Sequence, residues 1–144
     1  MKKIHRFITP YTVVHGKIHI TDSELIHQWK NVLKLKNGED VILVDNEHGE
    51  ALSTLSEITN DNASFLVKKI TKPDTHSKKI TLYMAILKNE NFELVIQKAS
   101  EIGIHSIVPI ITARTVKTGL KHERLQKISK EASELSGRID IPQI

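Results

Sequence analysis

From Lys17 to Thr71 the apolar residues come in short runs: Ile18 and Ile20, Val41-Ile42-Leu43-Val44, Ala51 to Ile58, and Ser64 to Ile70. Runs of this length between turn-forming residues predict several short strands. The breaks Lys36-Asn37-Gly38-Glu39-Asp40, Asp45-Asn46-Glu47-His48-Gly49 and Thr59-Asn60-Asp61-Asn62 carry the Asn, Asp and Gly that tight turns need. A sheet this small removes its exposed edges best by closing, so a small β-barrel is expected. One helix interrupts it. Thr21 or Asp22 caps a segment through Leu35 in which Leu25, Ile26, Trp29, Val32 and Leu33 recur at helical spacing. Trp29, the only tryptophan, lies on that stripe and is expected in the core.

The rhythm changes after Lys72-Pro73-Asp74-Thr75-His76-Ser77-Lys78-Lys79, a polar, proline-containing stretch that reads as a linker. Ile80 to Leu87 is strand-like, Phe92 to Ile102 helical, Ser106 to Ile111 a second strand and Lys121 to Ser136 a second helix. Alternating strand and helix implies a parallel sheet with right-handed crossovers. Phe92, Val95, Ile96 and Ala99 form the apolar stripe of the first helix, and Leu125, Ile128, Ala132 and Leu135 that of the second. Gly103 and Gly137 are placed to end them in the left-handed conformation. Two or three strands leave an edge and a face uncovered, so this half reads as incomplete.

With 39% hydrophobic and 26% charged residues in 144, the chain has ordinary globular usage, which argues against a disordered tail or fibrous repeat. Cysteine is absent, which excludes disulfides, thiolate zinc sites and a cysteine nucleophile. The eight histidines show no ligand spacing, so no metal is expected. No apolar run approaches a membrane span and no signal sequence is evident, so a soluble cytoplasmic protein is expected. A net charge of +4 and a pI near 9.3 suit a polyanionic partner.

In open parallel sheets ligands gather beyond the carboxyl ends of the strands. Here those ends carry Lys88 and Asn89, then Thr112, Arg114 and Lys117, of which Lys88 and Arg114 suit phosphates. Glu93, Gln97 and Glu101 recur every four residues on the first helix and share one face. Glu134, Ser136, Gly137 and Arg138 place a carboxylate and a guanidinium at the end of the second. An arginine there also has the plainer role of compensating the helix dipole. No glycine-rich phosphate loop, nucleophile elbow or nucleotide fingerprint is present.

Three strings are more specific. His27-Gln28-Trp29-Lys30-Asn31-Val32-Leu33-Lys34 is followed by Gly38-Glu39 and Val44-Asp45. Ile96-Gln97-Lys98-Ala99-Ser100-Glu101-Ile102-Gly103 is followed by Pro109, Arg114 and Val116. Glu131-Ala132-Ser133-Glu134-Leu135-Ser136-Gly137-Arg138 is followed by Pro142. In order and spacing they resemble the bacterial ribosomal RNA small subunit methyltransferase E family, over nearly the whole chain.

The resemblance implies an α+β fold in two domains. Residues 1–72 would be a PUA-like RNA-binding β-barrel, 73–79 a linker, and 80–144 the front part of a SPOUT-type methyltransferase domain whose knot segment is missing. It implies S-adenosylmethionine-dependent methylation of a uridine N3 in 16S ribosomal RNA of the small subunit, by a homodimer. By motif match, Gln97, Lys98, Glu101, Arg114, Glu134 and Arg138 would form the active-site surface, and Arg6, His27, Lys34 and Lys88 would contact RNA. No cofactor-binding residue is expected here, because the family's glycine-proline-glutamate-glycine loop and its later arginine-rich stretch are not among these 144 residues; the chain as given is expected to be inactive. Lys34 replaces an arginine, Asn46 a glycine and Asn91 an arginine of the family pattern. The rival expectation is a non-catalytic ribosomal-RNA-binding module.

Overall fold

The computed structural model describes residues 4–72, 78–116 and 118–144. The chain divides into two compact units, Met1–Pro73 and Asp74–Ile144. Most of the expected linker, and Lys117, lie outside the described residues.

In the first unit six strands, β1 (His5–Ile8), β2 (Val13–Val14), β3 (Lys17–Ile20), β4 (Asp40–Asp45), β5 (Gly49–Ile58) and β6 (Ala63–Thr71), form one sheet in the order β1-β4-β5-β6-β3-β2. Only the β1–β4 pair is parallel. The alternation expected of a half-buried strand is clearest in β5, where Gly49, Ala51, Ser53 and Leu55 point inward. Register shifts at Leu52/Ser53 and Leu55/Glu57 bend that strand. Phe7 from one end of the sheet and Ile18 and Ile20 from the other share one core with Val41, Leu43, Leu55 and Phe65, so the sheet curls around a common interior. It does not close through hydrogen bonds: among the described residues no ladder joins β1 to β2. The expected barrel is therefore a curled open sheet, with β1 and β2 as additional short end strands that the sequence pattern did not announce.

The interior is completed by a helix that departs from expectation. Asp22 caps α1 (Ser23–His27), its carboxylate accepting from the N–H groups of Glu24 and Leu25 at 2.9 and 3.1 Å. The helix then widens into a π-turn, Gln28–Val32. The Leu33 N–H reaches the Gln28 carbonyl at 2.8 Å and the Leu35 N–H the Trp29 carbonyl at 2.9 Å. Widening leaves Trp29 fully buried, edge-on to Phe7 and Phe65 at 5.3 and 5.2 Å. Val32, expected on the apolar stripe, is 66% exposed instead.

In the second unit β7 (Thr81–Ala85) and β8 (Ser106–Ile110) pair in parallel, with α2 (Asn89–Glu101) between them and α3 (His122–Ser136) after β8. A third parallel segment begins where Gln143 bridges Ser106. Phe92, Ile96, Ala99, Ile107 and Leu125 make the core. Gly103 and Gly137 take φ of 93° and 81° after their helices, as expected. One stripe residue is misassigned by periodicity: Leu135 is 78% exposed. Its place is taken by Ser129 and Ser133, fully buried where α3 meets α2, because a close helix crossing selects small side chains.

Candidate active-site surface and its relatives

The helix of a strand–helix–strand unit runs back along the sheet, so its start lies at the carboxyl ends of the strands and its end at their amino ends. Lys88 immediately precedes α2 in the loop after β7, and Arg114 lies in the loop after β8. Both are exposed. Arg114 sits on a turn closed by Thr112 and Thr115: the Thr115 N–H donates to the Thr112 carbonyl at 2.9 Å and the Thr112 N–H to the Thr115 hydroxyl at 2.8 Å. Neither α2 nor α3 has a side-chain cap, and lysines, Lys88 and Lys121, occupy both cap positions.

Lys98 and Glu101 lie at the other end of α2, whose 13 residues span about 20 Å at ~1.5 Å per residue. Glu101 accepts from Gln97 Nε2 at 2.9 Å and from Lys98 Nζ at 2.9 and 3.1 Å. The Lys98 ammonium, then the Gln97 amide, hold its carboxyl below the usual range, which favours the ionised form. Glu134 lies on the last turn of α3, at the same end.

Arg138 is the best-anchored of the expected site residues. Its Nη1 donates to the carbonyls of Ser100 and Ile104 at 2.9 and 2.8 Å, while Nε and Nη2 donate to Asp140 Oδ1 at 3.2 and 3.0 Å. The side chain is only 11% exposed. A guanidinium at the end of its own helix was the plain expectation; instead it serves carbonyls at the end of α2. Asp140, which sequence reasoning passed over, fixes it in place. The six expected catalytic residues are thus not brought together. Arg114 lies at the carboxyl edge with Lys88, whereas Lys98, Glu101, Glu134 and Arg138 gather at the amino edge, with Gln97 one turn inward.

Two clefts lie along the helices. One of about 230 Å³ is lined by Glu90, Glu93, Lys121 and Arg124, among others. It is crossed by a fork in which Arg124 Nε and Nη2 donate to Glu93 at 2.5 and 2.7 Å, which holds the Glu93 carboxyl below its usual range. The other, about 430 Å³, is a groove containing Gln97, Leu94, Ile128, Glu131 and Leu135. Neither is the enclosed apolar cavity that an adenosyl group needs. Neither cleft by itself therefore fits a nucleoside methyl donor. No cluster of metal-ligating side chains occurs among the described residues.

The residues expected to contact RNA all belong to the first unit apart from Lys88. His27 and Lys34 are exposed, on α1 and just beyond the π-turn. Arg6 on β1 is paired with Glu50 on β5, with 14% of its side chain exposed. Nearby, the Asp45 carboxylate organises the β4–β5 turn, accepting from the N–H groups of Glu47, His48 and Tyr11. The turn pattern Asp45 to Gly49 was the only sequence signal for it.

Comparison with known proteins agrees in order along the chain. Residues 30–68 match the model of an RNA methyltransferase PUA domain, and residues 74–144 that of an RNA methyltransferase domain. Ribosomal RNA small subunit methyltransferase E of Rickettsia conorii is 33% identical over 99% of this chain and 58% of its own length. The Bacillus subtilis protein of the same name is 33% identical over 84% of this chain and 50% of its own length. The crystal structure of a ribosomal RNA small subunit methyltransferase E from Neisseria gonorrhoeae bound to S-adenosylmethionine is similar in fold, with TM-score 0.82 at 24% identity, over 99% of this chain and 60% of that one. The chain spans about half to three fifths of the length of these relatives, and by sequence it belongs to the ribosomal RNA small subunit methyltransferase E family.

Proposed function

We propose that the protein to which these residues belong methylates a uridine at N3 in 16S ribosomal RNA of the small subunit, using S-adenosylmethionine. The observation that carries the reading is the succession, in one chain, of a PUA match and a methyltransferase match. The first unit is then an RNA-binding domain. The second supplies cations, Lys88 and Arg114, at the edge of the sheet where ligands of parallel α/β folds gather. Phosphate neutralisation by such residues fits the net charge of +4. The protein acts in the cytoplasm, as a homodimer when its methyltransferase domain is complete. Deleting the gene and measuring the nucleosides of purified 16S ribosomal RNA by mass spectrometry tests the activity. Loss of 3-methyluridine is expected, and its full retention would sink the assignment.

A second reading, a non-catalytic module that binds ribosomal RNA, is favoured by the open, charged clefts of the second unit. It predicts unchanged 3-methyluridine together with recovery of ribosomal RNA on the immobilised protein.

A further inference from the structure

Asn37 is the only asparagine in the chain that is followed by a glycine, and it stands exposed in the turn that leads into β4. Such a pair carries its own reaction. The glycine nitrogen, with no Cβ beside it to crowd the approach, attacks the side-chain carbonyl carbon of the asparagine. A C–N bond forms, the amide group leaves as ammonia with the proton that the nitrogen gave up, and the chain closes into a cyclic imide. Water then opens the ring at either carbonyl, which leaves aspartate or its β-linked isomer.

The fold sets a condition on that chemistry. The Glu39 N–H donates to the Lys36 carbonyl at 3.0 Å, and Gly38, third in the turn, has φ 88°, the combination found in type II turns. Two backbone bonds dock this turn on β5: the Gly38 N–H donates to the Leu55 carbonyl at 2.8 Å, and the Leu55 N–H to the Glu39 carbonyl at 2.9 Å. The Glu39 carboxylate also accepts from the Lys36 N–H at 3.2 Å. Leu55 is fully buried in the core of the first unit, so its carbonyl is a fixed partner. The nitrogen that must attack is therefore the one that β5 holds, and the proton it must lose is already in a hydrogen bond. The Asn37 side chain is open to water while its nucleophile is engaged.

We infer that Asn37 is a site of spontaneous deamidation held in check by the Gly38–Leu55 hydrogen bond, so that conversion proceeds only from conformations in which the turn has lifted off β5. The change is one-way. The β-linked product has an extra backbone atom between residues 37 and 38, so the spacing that serves both bonds to Leu55 is lost, and either product adds a carboxylate beside Glu39 and Asp40. The test incubates the 144-residue chain at mildly alkaline pH, in native buffer and in urea, beside a peptide of residues 33–41, and follows residue 37 by peptide mass spectrometry. Hydrogen exchange of the Gly38 amide is measured in the native chain under the same conditions. The peptide and the urea-unfolded chain are expected to react at similar rates and the native chain at least about tenfold more slowly, equivalent to ~1.4 kcal/mol of local opening. The Gly38 amide is expected to be protected from exchange by a similar factor. A peptide left unmodified at Asn37 overturns the site. A native chain that reacts as fast as the peptide, or one slowed at Asn37 while the Gly38 amide exchanges freely, overturns the role of the hydrogen bond.

Discussion

From a side chain only 11% exposed, Arg138 donates to the Ser100 and Ile104 carbonyls and to the Asp140 carboxylate, so removing it takes charged donors from two carbonyls and breaks an ion pair. Hydrogen bonds from charged donors contribute about 1.5–3 kcal/mol each way they are broken, and Arg138→Leu should lower stability by about 2–4 kcal/mol in urea unfolding followed by circular dichroism. Lysine should rescue little, because a point charge cannot fork between helix carbonyls and carboxylate. A loss below about 0.5 kcal/mol, the usual range of surface substitutions, would return Arg138 to the pool of free active-site groups. Asp45 gives a pH-dependent counterpart. Burial pushes its carboxyl up, but the N–H groups of Glu47, His48 and Tyr11 and the His48 ring outweigh that and hold it below the usual range. A depressed folded value means stability present above the unfolded value, about 3.9, and lost as pH falls through the folded one. Asp45→Asn should therefore flatten the acid limb of stability below about pH 4, without abolishing it, since Asp40 is also held down by Lys68 and then Thr54. An unaltered acid limb would show that the turn's hydrogen bonds do not favour the charged form.

Among the elements, those whose pattern was long and regular were legible. The two helices and two strands of the second unit fall within a few residues of expectation, because the apolar stripe and the terminal glycines act together. The seam between α2 and α3 was not legible, since periodicity marks apolar residues and this crossing is built on serine. The Ser100 hydroxyl donates to the Ile96 carbonyl at 2.8 Å and lies 2.9 Å from the Ser129 hydroxyl, while the buried Ser133 hydroxyl has no hydrogen-bond partner among the described residues. Two changes at Ser133 should consequently behave in opposite ways. Ser133→Ala removes an unsatisfied hydroxyl and should leave the thermal midpoint unchanged or higher, whereas Ser133→Leu overpacks the seam at a cost of about 1–3 kcal/mol. Leu135→Lys, one turn edge away and exposed, should stay within about 0.5 kcal/mol of wild type. Equal losses at 133 and 135 would mean that the seam is misplaced. The π-turn was hidden for a related reason: Leu25, Ile26, Trp29, Val32 and Leu33 satisfy α-helical spacing, and the widening falls where Trp29 is seated between Phe7 and Phe65, a contact that spacing does not record.

At the scale of the whole molecule the motif strings brought the family into view, but they did not show that their members separate to opposite ends of one sheet. Sequence spacing records neighbours along a helix; the direction in which α2 returns along β7 decides which edge each residue reaches. That separation bears on the donor. Pockets for nucleosides in parallel sheets are assembled from loops after several adjacent strands. In the second unit the carboxyl edge offers the loops after β7 and β8, and the third parallel segment is represented by the single bridge of Gln143 to Ser106. Two loops, carrying Lys88 and Arg114, are fewer than such a pocket is assembled from. The polypeptide of residues 1–144 should therefore show no saturable heat on calorimetric titration with S-adenosylmethionine, while still binding 16S ribosomal RNA more tightly at low salt than at high. One-to-one donor binding would place the cofactor on these residues after all, with the helix groove of Leu94, Gln97 and Leu135 as the site to mutate first. RNA binding without donor binding would instead assign recognition to these residues and leave the methyl group to segments of the family that they do not include.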